Sequence, residues 1–120
     1  DVWMDCGTPK LLIESAKIIM KSNEGLSNHD NFSKQGNVKI NHPVFIGENV
    51  IFKDSTIGPY VSIGDNCIIS DSNVESTLIY NNVKVSNAMI QNSILGSNTI
   101  YDGSNKEIFL GDYSQINNDE

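Results

Sequence analysis

Two histidines, His29 and His42, are the side chains of this chain best suited to exchange a proton near neutral pH. Either could act as the base that activates a hydroxyl or amine in acyl transfer, and His42, beside Pro43, is the candidate for that chemistry. Neither is followed by a recognisable donor-binding loop. Asp54, Asp65, Asp71 and Asp102 fall in turn-like contexts, where Asp supports corner conformations, so they are expected to be structural. Ser55, Ser62, Ser72 and Ser93 are likewise expected at corners, because no His and acid pair can be assigned to any of them. Cys6 and Cys67 lie far apart in different kinds of segment. They make neither a disulfide framework nor a zinc set, and two reduced thiols are expected.

The totals narrow the partners. The chain has 120 residues, of which 38% are hydrophobic and 19% charged, with a formal charge of −7. That length holds one domain with a short appendage. An acidic surface without basic runs repels phosphate backbones and anionic lipid, so neither nucleic acid nor membrane is an expected partner. No apolar stretch is long enough to span a bilayer and no secretory signal is present, which together suggest the cytoplasm.

Three segments must position whatever chemistry exists. Residues 1–21 suggest a strand end, a turn and a helix, with Thr8 as N-cap and Pro9 at the first helical position. Leu12, Ile13, Ala16, Ile19 and Met20 share one helical face by their spacing of three and four. Residues 22–37 are polar and look like a linker. From residue 38 to 120, aliphatic residues recur at Ile40, Ile46, Ile51, Ile57, Ile63, Ile68, Val74, Ile79, Val85, Ile90, Leu95 and Ile100. Every gap is five or six, which neither a helix nor a single amphipathic strand produces.

A local signature accompanies the spacing. Ile46-Gly47-Glu48-Asn49-Val50, Ile57-Gly58-Pro59-Tyr60-Val61 and Ile63-Gly64-Asp65-Asn66-Cys67 share one form. Leu95-Gly96-Ser97-Asn98-Thr99 and Leu110-Gly111-Asp112-Tyr113-Ser114 repeat it with a hydroxyl in the last place. Gly and Asn tolerate the positive φ of a tight corner. This is the hexapeptide pattern of a mainly β solenoid, a parallel β-helix preceded by one amphipathic helix. Three short sides per turn imply coils of roughly 16 to 18 residues and about four coils. The open ends of such a solenoid expose unpaired strand edges, so a partner surface is expected.

The opening Trp3-Met4-Asp5-Cys6-Gly7-Thr8-Pro9, followed by the amphipathic helix, resembles the close of the catalytic domain in sugar-1-phosphate nucleotidylyltransferases. The stretch from Asp54 to Gly64 is similar to the repeat region of glucose-1-phosphate thymidylyltransferase-like members. The resemblance implies a left-handed β-helix behind the tail of a catalytic domain. It also implies transfer of a nucleotidyl group, from dTTP or UTP, to a sugar 1-phosphate with release of pyrophosphate. Mg²⁺ would serve the parent enzyme, with Asp5 as one of two metal-binding carboxylates and Gly7 at the substrate. The family's Gly-rich nucleotide loop and second metal Asp are not in this sequence, so the chain alone is expected to be inactive and without a cofactor. Its expected partners are its own catalytic domain and further copies of itself, a trimer first and a dimer next. The resemblance leaves two alternatives, an acyl- or acetyltransferase domain using His42 and a domain that binds an allosteric effector.

Overall fold

The computed structural model describes residues 9–22, 32–103, 109–110 and 115–117. Among the described residues one helix, α1 (Pro9–Ser22), precedes thirteen short strands. They are β1 (Phe32–Gln35), β2 (Lys39–Ile40), β3 (Val44–Ile46), β4 (Val50–Lys53), β5 (Thr56–Ile57), β6 (Val61–Ile63) and β7 (Ile68–Ser70). There follow β8 (Asn73–Ile79), β9 (Lys84–Ser86), β10 (Met89–Leu95), β11 (Ile100–Asp102), β12 (Phe109–Leu110) and β13 (Gln115–Asn117). All the strand pairings are parallel, and each strand pairs with one a full turn of chain away.

The chain winds as a three-sided solenoid. The first side stacks β1-β4-β7-β9-β11-β13, which gives four turns between β1 and β11. The second side stacks β2, β5 and the first halves of β8 and β10. The third stacks β3, β6, the second halves of β8 and β10, and β12. Strands β8 and β10 pass from second to third side through Ser76 (φ 50°) and Asn92 (φ 54°). The turn length falls along the axis: Ile51 pairs with Ile68 17 residues on, and Ile68 with Lys84 16 on. The residue is lost at the corner between second and third sides, where Gly58-Pro59-Tyr60 gives way to Glu75-Ser76.

Inward side chains stack in register. Phe52, Ile69, Val85 and Tyr101 form one buried row, and Ile57, Val74 and Ile90 another. Val44, Val61, Thr77 and Ser93 continue on the third side beside Ile46, Ile63, Ile79 and Leu95. Three members of the evenly spaced aliphatic series leave this core. Ile68 and Ile100 are exposed and Ile51 is half-exposed, because the residues after them, Ile69, Tyr101 and Phe52, point inward instead. Two adjacent apolar residues in a strand leave spacing unable to choose between faces, and a shift of one reverses both.

The corners explain the glycines. Asn49, Asn66, Asn82 and Asn98 adopt φ of 60°, 60°, 59° and 64°, as the signature required. Gly47 and Gly64 do not need positive φ; they are needed for space. A Cβ on Gly64 would collide with Asn81 Oδ1 and sit 2.8 Å from the Tyr80 carbonyl carbon, and one on Gly47 would collide with Asp65 Oδ1. Gly58 has both reasons, with φ 96° and the Asn41 carbonyl oxygen where its Cβ would lie.

Helix α1 begins at Pro9 and lies outside the solenoid against β8 and β10. Thr8 lies outside the described residues. Ile13 and Met20 are buried, with half-buried Ala16 between them in the helical repeat. On β10, Ile94 alternates outward between Ser93 and Leu95 yet is only 6% exposed, which marks the strip the helix covers. Ile19, expected on the covered face, is exposed. The seated stripe is narrower than the apolar pattern, and Ile19 falls on its flank. β1 lies within the stretch expected to be a linker, so the solenoid already includes Phe32, whose ring meets Phe52 edge-on at 5.2 Å. Among the described residues no helix is long and apolar enough to cross a membrane.

Gly64→Ala should lower stability by roughly 1–3 kcal/mol, since neighbouring backbone must move. Ser70→Ala, on an outward position, should change it by less than about 0.5 kcal/mol. Thermal melting followed by circular dichroism checks the pair.

Candidate functional site

Among the described residues, a half-open groove of about 490 Å³ lies on the second side. It forms because of the shortened corner. Upper coils round this edge with Asn41-His42-Pro43 and Gly58-Pro59-Tyr60, and lower coils with Glu75-Ser76 and Gln91-Asn92, so Gly58 and Pro59 form a step above them. The step is held by backbone bonds, with Ser76 N–H donating to the Pro59 carbonyl at 3.0 Å and Thr77 N–H to that of Tyr60 at 3.1 Å. Outward side chains of Asn41, Thr56, Asn73, Glu75, Met89 and Gln91 line it. Beside it, Lys17 of α1 sits 5.8 Å from the centroid of the Tyr60 ring, which ties the helix to the same corner.

The candidates drawn from the sequence are scattered. Asp5, Gly7, Cys6 and His29 lie outside the described residues. His42 is exposed on the first corner, next to Asn41 of the groove. Two of the corner acids bind backbone, one binds a side-chain amide and one shapes its own corner. Asp54 Oδ1 accepts the Asn37 N–H and Asp65 Oδ1 the Glu48 N–H, both at 2.9 Å, and Asp102 Oδ1 accepts Asn87 Nδ2 at 3.2 Å. Asp71 supplies the corner's positive φ, 51°. Ser55 and Ser72 form a ladder, each accepting a backbone N–H from the next coil at 3.1 Å. Ser62 and Ser93 are strand residues, in β6 and β10, rather than corner residues. Among the described residues no three His, Cys, Asp or Glu side chains gather to hold a metal ion.

Cys67 is free and buried, and its thiol donates to the Tyr80 carbonyl at 3.0 Å. Burial pushes its pKa up, against two backbone hydrogen bonds, from Asn82 and Val83, that lower it. The groove's residues gave no motif in the sequence. Their signal is positional: Asn73 sits 17 residues after Thr56, and Gln91 16 after Glu75, one coil apart on outward positions.

The fold is that of a parallel β-helix. No family model matches the sequence. Over 86 residues, 67% of the chain, it is 30% identical to a glucose-1-phosphate thymidylyltransferase of Streptomyces antibioticus. Over 89 residues, 73% of the chain, it is 29% identical to the bifunctional protein GlmU of Wigglesworthia glossinidia brevipalpis. These stretches are 24% and 18% of the two proteins, so the chain spans at most about a quarter of the curated relatives it matches. Fold and matches together make it a β-helix domain related to nucleotidyltransferases.

In a Cys6→Ser background, Cys67 should react with a thiol-specific chromogenic disulfide roughly 100-fold more slowly in the folded chain than in denaturant. Because its folded pKa is raised, its contribution to stability is present below the ordinary thiol range and fades as pH climbs through the folded value. Melting temperature should therefore fall more steeply at alkaline pH in the Cys6→Ser chain than after the further change Cys67→Ala.

Proposed function

We propose that this chain is the scaffold domain of a sugar-1-phosphate nucleotidylyltransferase, carrying a catalytic domain on α1 and joining copies through the solenoid. The observation that carries this reading is a helix apolar on two sides. Ile13 and Met20 are seated on the solenoid, while Leu11, Ile18 and Ile19 remain 49%, 68% and 58% exposed. A helix whose apolar face is wider than the strip it seats belongs between two surfaces, and only one is supplied by the described residues. The relatives are several times longer than the matched stretch, which leaves room for a second domain. The opening Trp3-Met4-Asp5-Cys6-Gly7-Thr8-Pro9 runs into the helix, whose first residue is Pro9.

In this reading nucleotidyl transfer from dTTP or UTP occurs on the catalytic domain. Asp5 is one of two carboxylates for Mg²⁺, and Gly7 lets backbone approach the substrate. The described residues themselves bind and orient domains. The name of the first relative, a glucose-1-phosphate thymidylyltransferase, supports nucleotidyl transfer to a sugar phosphate, and the thymidylyl donor follows it.

The test uses the full enzyme that contains this chain. Leu11→Asp together with Ile18→Asp should expose the junction before α1 to protease and lower nucleotidyl transfer at least about tenfold, with the solenoid's melting unchanged. Protease resistance and activity equal to the parent would refute docking through this face. Light scattering should find a trimer, or failing that a dimer; a monomer at about 100 μM would refute the joining of copies.

A further inference from the structure

We infer that the groove on the second side binds an uncharged, hydroxyl-rich ligand, a saccharide of one or two rings. Its volume, about 490 Å³, lies in the range typical of small-molecule sites, roughly 300–1,000 Å³. Its lining is distinctive within this fold. The outward rows of the first side run Ile51, Ile68, Lys84, Ile100 and Lys53, Ser70, Ser86, Asp102, and on the third side α1 packs against β8 and β10. The second-side groove combines three amides with an apolar wall, whereas a hollow of about 430 Å³ at the neighbouring corner carries two carboxylates, Asp54 and Asp71.

Asn41, Asn73 and Gln91 each present an amide that both donates and accepts, as a sugar hydroxyl does. Glu75 adds two acceptor oxygens, suited to a pair of neighbouring hydroxyls. No hydrogen bond or ion pair engages these four side chains among the described residues. Pro59 and Met89, the latter 65% exposed, supply the apolar surface that the C–H faces of a sugar ring require. These groups stand on strands or on a corner locked to the next coil, so little ordering remains to be done on binding.

Charge excludes the main competitors. Glu75 is the one ionisable group among the lining residues, Lys39 stands outside them beside Thr56 on the adjacent coil, and the chain carries −7 overall. A phosphate or nucleotide would meet the Glu75 carboxylate inside the groove, while the Lys39 ammonium stands at its flank, outside the lining. A cationic ligand would use one exposed carboxylate, a weak attraction, and would leave the amides idle. The inference is independent of the docking role proposed for α1, since neither the exposed side of the helix nor a second domain enters it.

Nuclear magnetic resonance titration of the chain with maltose and with N-acetylglucosamine tests it. At least one of the two sugars should shift the side-chain amides of Asn41, Asn73 and Gln91 saturably, in the millimolar range. The matching charged probe, glucose 1-phosphate, should bind at least about threefold more weakly than glucose, and Glu75→Gln should shrink that gap. Asn73→Ala with Gln91→Ala should weaken the sugar at least about tenfold while the melting temperature holds. Absence of saturable shifts with both sugars overturns the inference. So does tighter binding of glucose 1-phosphate than of glucose, or a double variant that folds and binds sugar unchanged.

Discussion

Everything in this molecule depends on one coil resting in register on the next. Backbone donors on each corner are met by the adjacent turn: Gly47 N–H reaches the Ile63 carbonyl and Gly64 N–H that of Ile79, both at 2.8 Å. Corner side chains add a second set of bonds, as when Asn81 Oδ1 accepts the Asp65 N–H at 2.8 Å. These contacts demand that the coils approach without a Cβ between them, which is why Gly47 and Gly64 stand where they do. The inner rows of aliphatic residues then meet automatically, because parallel strands in register place like positions above one another.

That constraint governs the inside and leaves the outside free to differ. Each side of the solenoid has the same inward chemistry and a different outward one. The third side takes a helix, held by Ile13, Met20 and the Lys17–Tyr60 contact. The second acquires a groove because one corner loses a residue between successive coils. The first keeps a row of isoleucines interrupted by Lys84. Function in such a fold resides in these outward differences, since a shared scaffold carries no activity by itself.

The fold was legible because its repeat is strong. Aliphatics recurring every five or six residues, with Asn or Asp at most of the corners, admit few other shapes. Which of two adjacent residues pointed inward was less legible. Ile51-Phe52 and Ile68-Ile69 are apolar at both places, and only contact with neighbouring coils settles the choice in favour of the second. The corner acids were legible as structural, since Asp is a turn former. The groove was not, because Asn41, Asn73 and Gln91 become neighbours only after the coils are wound.

By itself the sequence determined a stacked, three-sided coil, its period, its turn residues and a helix ahead of it. Those follow from local preferences and from a repeat that brings each hydrophobic position back to the same side. Tertiary structure decided which face of each strand is inner, which strip of the helix is seated and where the surface becomes concave. Such outcomes rest on contacts between residues 16 or 17 apart, or on a helix meeting a wall, and no local spacing encodes a distance of that kind.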